Sequence, residues 1–310
     1  MALVSSGCGP SQTKAPPPSP LPGSVLQRIL AEDADEHHAG AIALVRTDGR
    51  TWLGAAGAYQ DHPAHPGDRF DIGSTGKTFV ATVVLQLVEE GRLSLDDSVE
   101  RWLPGKIDGG RRVLVRNLLN HTSGLTVTPS GRITVINPPG TVYGYFNTDF
   151  GLLETIVAEV TGRRLGQEVR DRIVDPLGLQ DSWTSGERSS PPWLGARERS
   201  CPAACAGPIS TTFDLARFFQ ALLGGKLLAP DTRAEMTRTV PTGSELHAGL
   251  GLFRFDLPCG SAWGHGGEFT YYSNQVLVSP DGSTAVVVAR SARDWYSIKT
   301  LAEEMYCATV

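Results

Sequence analysis

Phe70-Asp71-Ile72-Gly73-Ser74-Thr75-Gly76-Lys77-Thr78-Phe79-Val80-Ala81-Thr82-Val83-Val84-Leu85-Gln86-Leu87-Val88 is the stretch that decides the fold of this 310-residue chain. A short extended run ends at Gly73, and the spacing predicts a helix over roughly 74 to 90. Phe79, Val80, Val83, Val84, Leu87 and Val88 wrap much of its circumference, and Gly91 stands where a C-terminal cap is expected. A helix that is apolar almost all round is buried between layers. The chain on either side has to supply those layers.

Upstream, 24 to 38 reads as a helix, with Val25, Leu26, Ile29 and Leu30 on one face. Two strands follow, 41 to 45 and 52 to 58, joined by the hairpin signal Asp48-Gly49. Downstream the chain is helical at about 113 to 120, 149 to 161, 165 to 173 (stopped before Pro176) and 213 to 223. Strand character returns at 250 to 255, 275 to 278 and 284 to 289, and a last helix covers about 296 to 306. Strands at both ends around a helical middle imply a mixed α/β (α+β) fold, an antiparallel sheet flanked by helices, with a helical lobe inserted. The expected division is a proline-rich, disordered segment over 1–23 and a catalytic domain over 24–310. Its sheet lobe takes about 24–72 and 245–310, and its helical lobe about 73–244.

Composition narrows the function. Hydrophobic residues are 40% and charged residues 20%, an ordinary globular balance, and 33 acidic against 28 basic side chains leave a formal charge of -5. Such a chain has no electrostatic reason to bind nucleic acid. No run approaches the roughly 18 consecutive apolar residues that span a bilayer. Leu3-Val4-Ser5-Ser6-Gly7-Cys8 has the form of the tail of an export signal ending at a lipid-accepting cysteine, and the prolines between Gly9 and Gly23 would make a stiff tether. A membrane attachment through Cys8 outside a bacterial cell and a cytosolic extension are the two readings. Cys201, Cys205, Cys259 and Cys307 are the other cysteines; Cys201 and Cys205 could close a small loop, and buried thiols fit equally well. No metal-ligand spacing is present, and no cofactor motif.

The chemistry centres on Ser74 and Lys77. Three residues apart on a helix, they share a face, so the amine reaches the hydroxyl, and the helix N-terminus favours negative charge developing there. Serine needs a base, and lysine serves only if its pKa falls well below about 10.4. The spacing alone is weak: Ser11-Gln12-Thr13-Lys14 repeats it inside the tether, and Ser74 also suits an N-cap. No Gly-x-Ser-x-Gly elbow occurs to support a Ser-His-Asp triad.

Three motifs in order change the weight of that pair. Ser74-Thr75-Gly76-Lys77, Tyr145-Phe146-Asn147 and His265-Gly266-Gly267 come with the flanks Asn117 to Leu125, Asp175-Pro176-Leu177-Gly178-Leu179 and Ser210-Thr211-Thr212. From about residue 25 to 305 the chain resembles the serine beta-lactamase-related family, which includes class C beta-lactamases, D-alanyl-D-alanine carboxypeptidases of that type and related esterases and aminopeptidases. The resemblance implies a beta-lactamase/transpeptidase-like fold and an acyl-enzyme on Ser74, with Lys77 and Tyr145 sharing proton transfer. It implies that Asn147 holds Lys77 and a substrate amide, that His265 and Gly267 contact or tune the site, and that the backbone N–H groups of Ser74 and Glu268 form the oxyanion hole. Asn120 and His121 are expected to stand behind the cleft. A second Tyr-x-Asn, Tyr272-Ser273-Asn274, lies out of family order.

The pattern departs from carboxylate-recognising relatives in two places. Gly266 and Glu268 stand where hydroxyl residues are often found, and an acidic side chain beside a bound carboxylate is unfavourable. Tyr271 stands where glycine is common. The expected activity is therefore hydrolysis of esters or amides with neutral leaving groups, the substrate being a small ester, amide or D-amino-acid peptide. The alternatives are a D-alanyl-D-alanine carboxypeptidase or beta-lactamase, the former helped by a base such as Arg254, and a penicillin-binding or sensor domain that does not turn over.

Overall fold

A computed structural model describes residues 21–182, 209–269 and 271–310. Cys8, Ser11, the proline-rich tether, Cys201 and Cys205 lie outside the described residues.

Helix α1 (Gly23–Glu36) leads into β1 (Ala41–Thr47) and β2 (Arg50–Ala56), which form the expected hairpin through Asp48 and Gly49. The sheet is completed from the far end of the chain by β3 (Val240–Pro241), β4 (Leu246–Ala248), β5 (Phe253–Leu257), β6 (Gly260–Phe269), β7 (Tyr272–Val278) and β8 (Ala285–Arg290). The eight strands run β3-β4-β5-β6-β7-β8-β1-β2, antiparallel throughout. Strand alternation sorts the core into two layers. Ala43, Val45, Val286 and Val288 face Leu26 and Leu30 of α1, together with Ile298, Leu301 and Met305 of the C-terminal helix. Ile42, Leu44, Val287 and Ala289 face the opposite core, which contains the apolar helix and its neighbours. The antiparallel sheet with helices on both faces agrees with the fold read from the sequence.

Helix α2 (Gly76–Glu89) is that apolar helix, and a 3-10 turn, Gly73–Thr75, precedes it, so the α-helix begins two residues later than its apolar pattern suggests. Thr78 donates to the Gly251 carbonyl at 2.7 Å, and Phe79 stacks on Phe218 at 3.7 Å, which locks α2 between the sheet and the helical side. Helices α3 (Asn147–Thr161) and α4 (Thr212–Leu223) follow their predicted ranges closely. Helix α5 (Trp295–Cys307) closes the chain.

Two expectations need correction. The helix starting at Leu165 does not stop before Pro176: a π-turn over Arg170–Val174 widens the ladder and delivers Pro176 into the first turn of Asp175–Leu177, where its missing N–H costs little. The strand expected at 250 begins only at Phe253, because Gly251, at φ +75°, turns the chain there.

Cys259, in the turn between β5 and β6, is bonded to Cys307 at the end of α5, with their Cα atoms 5.5 Å apart. The bridge joins points 48 residues apart and ties the β5–β6 hairpin to the closing helix. Replacing both cysteines by serine is expected to lower the unfolding free energy by about 2–4 kcal/mol, the usual scale for a loop of that order. Urea unfolding with and without reductant measures it, and unchanged midpoints would show that the bridge does not restrain the unfolded chain.

Candidate active site

Ser74 sits in the 3-10 turn at the head of α2, partly exposed, and Lys77 lies one turn on. Lys77 Nζ is 3.0 Å from Ser74 Oγ, the contact that a spacing of three predicts. Tyr145 comes from the segment just before α3, and its hydroxyl is near enough to Ser74 to feel it. Its side chain is 42% exposed at the surface, yet the protein packed around it pushes its pKa up to about 12, offset in part by Ser74. The Lys77 nitrogen also lies 5.1 Å from the Tyr145 ring centroid and 5.7 Å from that of Phe150. The expected nucleophile and the two residues read as its proton-transfer partners are therefore neighbours in the fold. Asn147 is the first residue of α3 and is exposed.

The opposite wall is strand β6. Only its first half is covered by β5, which pairs with Gly260 to Gly264, so residues 265 to 269 offer one edge to the Ser74 turn. A Cβ on Gly267 would lie 1.9 Å from the Ile72 carbonyl oxygen, and one on Gly73 (φ +49°) would lie 2.6 Å from the Glu268 carbonyl oxygen and 3.1 Å from its nitrogen. Backbone meets backbone here, which only glycine permits. The backbone of Glu268 is thereby carried against Gly73, the residue before Ser74.

Asn274 fastens the approach. Wholly buried on β7 opposite Gly267, it donates to the Ile72 carbonyl at 3.2 Å and the Gly267 carbonyl at 3.3 Å, and accepts from the Thr75 hydroxyl at 2.8 Å. It belongs to the Tyr-x-Asn copy that stands out of family order. That copy gave no catalytic reading, yet its asparagine joins the turn to the strand. Its one sequence signal was the polar run Ser273-Asn274-Gln275 at the head of an apolar strand.

His265 is buried, its Nδ1 2.6 Å from the Gly266 carbonyl oxygen and its ring 5.1 Å from that of Phe253. Burial, reinforced by the Lys77 charge, pushes its pKa down to about 3, so it is neutral at physiological pH. Gly266 points the other way: a Cβ there would meet Gln275 Oε1 and Trp295 Nε1, each at 2.6 Å. Glu268 follows the same alternation toward α5, and its carboxylate lies 3.9 Å from Arg293 Nε. The repulsion expected between Glu268 and a bound carboxylate is thus weakened by distance and by a neighbouring cation. Arg254 is engaged by Asp256 at 3.0 Å. Asn120 is tied to Thr122, and His121 to Asp149, behind the cleft.

The Beta-lactamase family model matches residues 26–297, nearly the whole of this described architecture. The chain belongs to the Beta-lactamase family. Among similar solved structures is a D-stereospecific amidohydrolase from Streptomyces sp., 33% identical, with a TM-score of 0.81 over 93% of this chain and 99% of that one. The D-amino acid amidase of Ochrobactrum anthropi SV3 shares the fold at a TM-score of 0.81 and 24% identity, over 92% of this chain and 97% of that one. The putative penicillin-binding protein PbpX of Bacillus subtilis is 28% identical over 216 residues, 61% of this chain and 54% of the relative. This chain spans about half the length of that curated relative.

For a Beta-lactamase family member, the fit between the strand and the serine turn should be intolerant of a single methyl. Gly267→Ala is expected to cost about 1–3 kcal/mol of stability, as overpacking does. It should also slow modification of Ser74 by a fluorophosphonate, because the Glu268 N–H moves away. A variant that melts and labels like the parent would show that the 1.9 Å approach is relieved without consequence.

Proposed function

We propose that this chain is a serine hydrolase that cleaves amides and esters of D-amino acids through an acyl-Ser74 intermediate. The observation that carries the reading is the 3.0 Å contact of Lys77 Nζ with Ser74 Oγ, with the Tyr145 ring 5.1 Å from the same nitrogen. Two titratable groups beside one hydroxyl serve the two proton transfers that acyl transfer requires.

In this reading Lys77 first releases the proton whose charge the two buried imidazoles feel, and Ser74 Oγ then attacks the carbonyl carbon while its own proton passes to the Lys77 amine. The oxyanion is held by the N–H groups of Ser74 and Glu268. Tyr145, protonated at rest because burial raises its pKa, gives its proton to the leaving nitrogen or oxygen and recovers one from Lys77. Water then attacks the acyl ester by the reverse route, its proton passing through the same pair, and Ser74 regains its hydrogen. Asn147 holds the substrate amide at the mouth of the site.

The leaving group follows from the third triplet. Relatives that bind a terminal carboxylate often carry a hydroxyl at its middle position, but here Trp295 and Gln275 occupy the space a side chain on Gly266 would need. His265 is neutral and supplies no cation. A free carboxylate on the leaving side therefore finds neither partner, and a neutral amide or ester is preferred. The likeness to the Streptomyces D-stereospecific amidohydrolase supports a D-configured acyl group.

Fluorophosphonate is expected to label Ser74 and no other residue, and Ser74→Ala to abolish labelling. Lys77→Ala and Tyr145→Phe should each slow acylation by about a hundredfold, the scale of a lost proton-transfer group. Mass spectrometry that places the adduct elsewhere, or unchanged rates in both variants, would sink the assignment.

Substrate preference is tested with one D-acyl group carried as a simple amide, as a D-Ala peptide with a free carboxylate and as that peptide with its carboxylate blocked. kcat/KM for the simple amide and the blocked peptide should exceed that for the free acid by about tenfold or more. Should the free acid prove best, the carboxypeptidase reading replaces this one.

A further inference from the structure

Behind Tyr145 lies a buried acid that the proposed reaction does not use. Asp149, in the first turn of α3, is wholly buried. Ser123 donates to its Oδ1 at 2.7 Å, and its Oδ2 is 3.1 Å from His121 Nδ1. His121 is itself buried, at φ +58°, and its carbonyl accepts the Gly144 N–H at 2.8 Å. Its ring lies 4.4 Å, centroid to centroid, from that of Tyr145, and 5.2 Å from that of Phe150.

Counting donors decides which partner carries the proton. The Phe146 N–H points at His121 Nδ1 at 3.3 Å, so that nitrogen presents a lone pair. Its single lone pair is then shared with the group on Asp149, which has to donate to it as well. An ionised carboxylate only accepts, and would leave two acceptors facing each other in a buried site.

We infer that Asp149 is held as a neutral acid whose O–H donates to His121 Nδ1, and that this pair positions the Tyr145 ring beside Ser74. Asp149 is a positioning residue: it acts through the imidazole on which Tyr145 rests, and it touches no substrate. The catalytic consequence rests on the hydrolase reading above, while the protonation pattern does not. Burial favours the uncharged form of both partners, raising Asp149 to about 8 and lowering His121 to about 3. Lys77 from α2 opposes the rise at Asp149 and deepens the fall at His121; Tyr143, Tyr145 and His265 are the other titratable groups around the pair, all neutral at pH 7.

The pH dependence follows from the direction of the shift. The folded pKa of Asp149 lies above the ordinary value of 3.8, so its contribution to stability is fully present below that value and is lost as pH rises through about 8. The same deprotonation removes the donor to His121 and loosens Tyr145.

Nitrogen-15 spectra of the intact wild-type chain near neutral pH should show His121 as the tautomer protonated on Nε2, with Nδ1 bare. Asp149→Ala should slow fluorophosphonate labelling by about ten- to a hundredfold, the scale of a small displacement in a reacting group. Asp149→Asn, whose amide can donate to His121 and accept from Ser123, should restore most of that loss. In that variant neither melting temperature nor labelling rate should show the wild-type decline as pH passes about 8. A proton on Nδ1, an Asn variant as slow as the Ala variant, or an unchanged alkaline decline would each overturn the proposal. Should Ser74 fail to label in the wild type, the hydrolase reading falls alone, and the tautomer still decides the pair.

Discussion

The constraint on which this structure depends is the approach of one backbone to another, Gly267 against Ile72, with no room between them for a methyl group. A serine at the head of a helix is commonplace. What makes this one a candidate for chemistry is that a strand edge is pressed against its turn, so that backbone from two segments distant in sequence meets beside it. The approach is stabilised from both sides. Helix α2 cannot retreat, because Phe79, Val83, Val84 and Leu87 are buried and Phe79 stacks on Phe218. Strand β6 cannot slip, because Asn274 bonds the strand, the turn and Thr75 at once. Removing a partner from such a buried amide would leave it unsatisfied, at about 1–3 kcal/mol for each group.

Much of this was legible in the residues, for identifiable reasons. Helix α2 declared itself by an apolar pattern too broad for a surface helix, and the hairpin of β1 and β2 by Asp48-Gly49 between apolar runs. Ser74 and Lys77 were legible because i,i+3 geometry is local. Strand β6 was not, since Gly260, Gly264, Gly266 and Gly267 lower strand propensity; the glycines that hide it from a propensity reading are those the close approach at its end requires. Glu268 was read from the resemblance as a backbone donor beside the serine, but the direction of its side chain depends on strand register, which no short motif encodes. The partnership of Cys259 with Cys307 was likewise beyond reach, because pairing is set by the fold.

His121 and Asp149 show the same limit inside the site. The resemblance put His121 behind the cleft, and helix propensity put Asp149 in the first turn of α3, where an acidic residue ordinarily favours the helix dipole. Nothing in the sequence joins them. In the fold they meet at 3.1 Å with Ser123 on the other oxygen, and the ordinary expectation for an N-terminal aspartate is reversed by burial.

That reversal belongs to a wider electrostatic pattern. Two imidazoles, His121 and His265, lie near enough to Lys77 to feel its charge, and burial together with the lysine's own field holds both neutral. A protonated imidazole at either place would repel Lys77 and favour its unprotonated form, but would also attract any carboxylate entering the cleft. With both neutral, the walls offer shape and polar contacts without adding charge, and selectivity passes to the few atoms that touch the leaving group. At Gly266 the place of a side chain is filled by the indole of Trp295 and the amide of Gln275, on the face of the strand turned away from Gly267 and the Ser74 turn. What α5 brings against that far face thus limits which residue the strand can carry at 266.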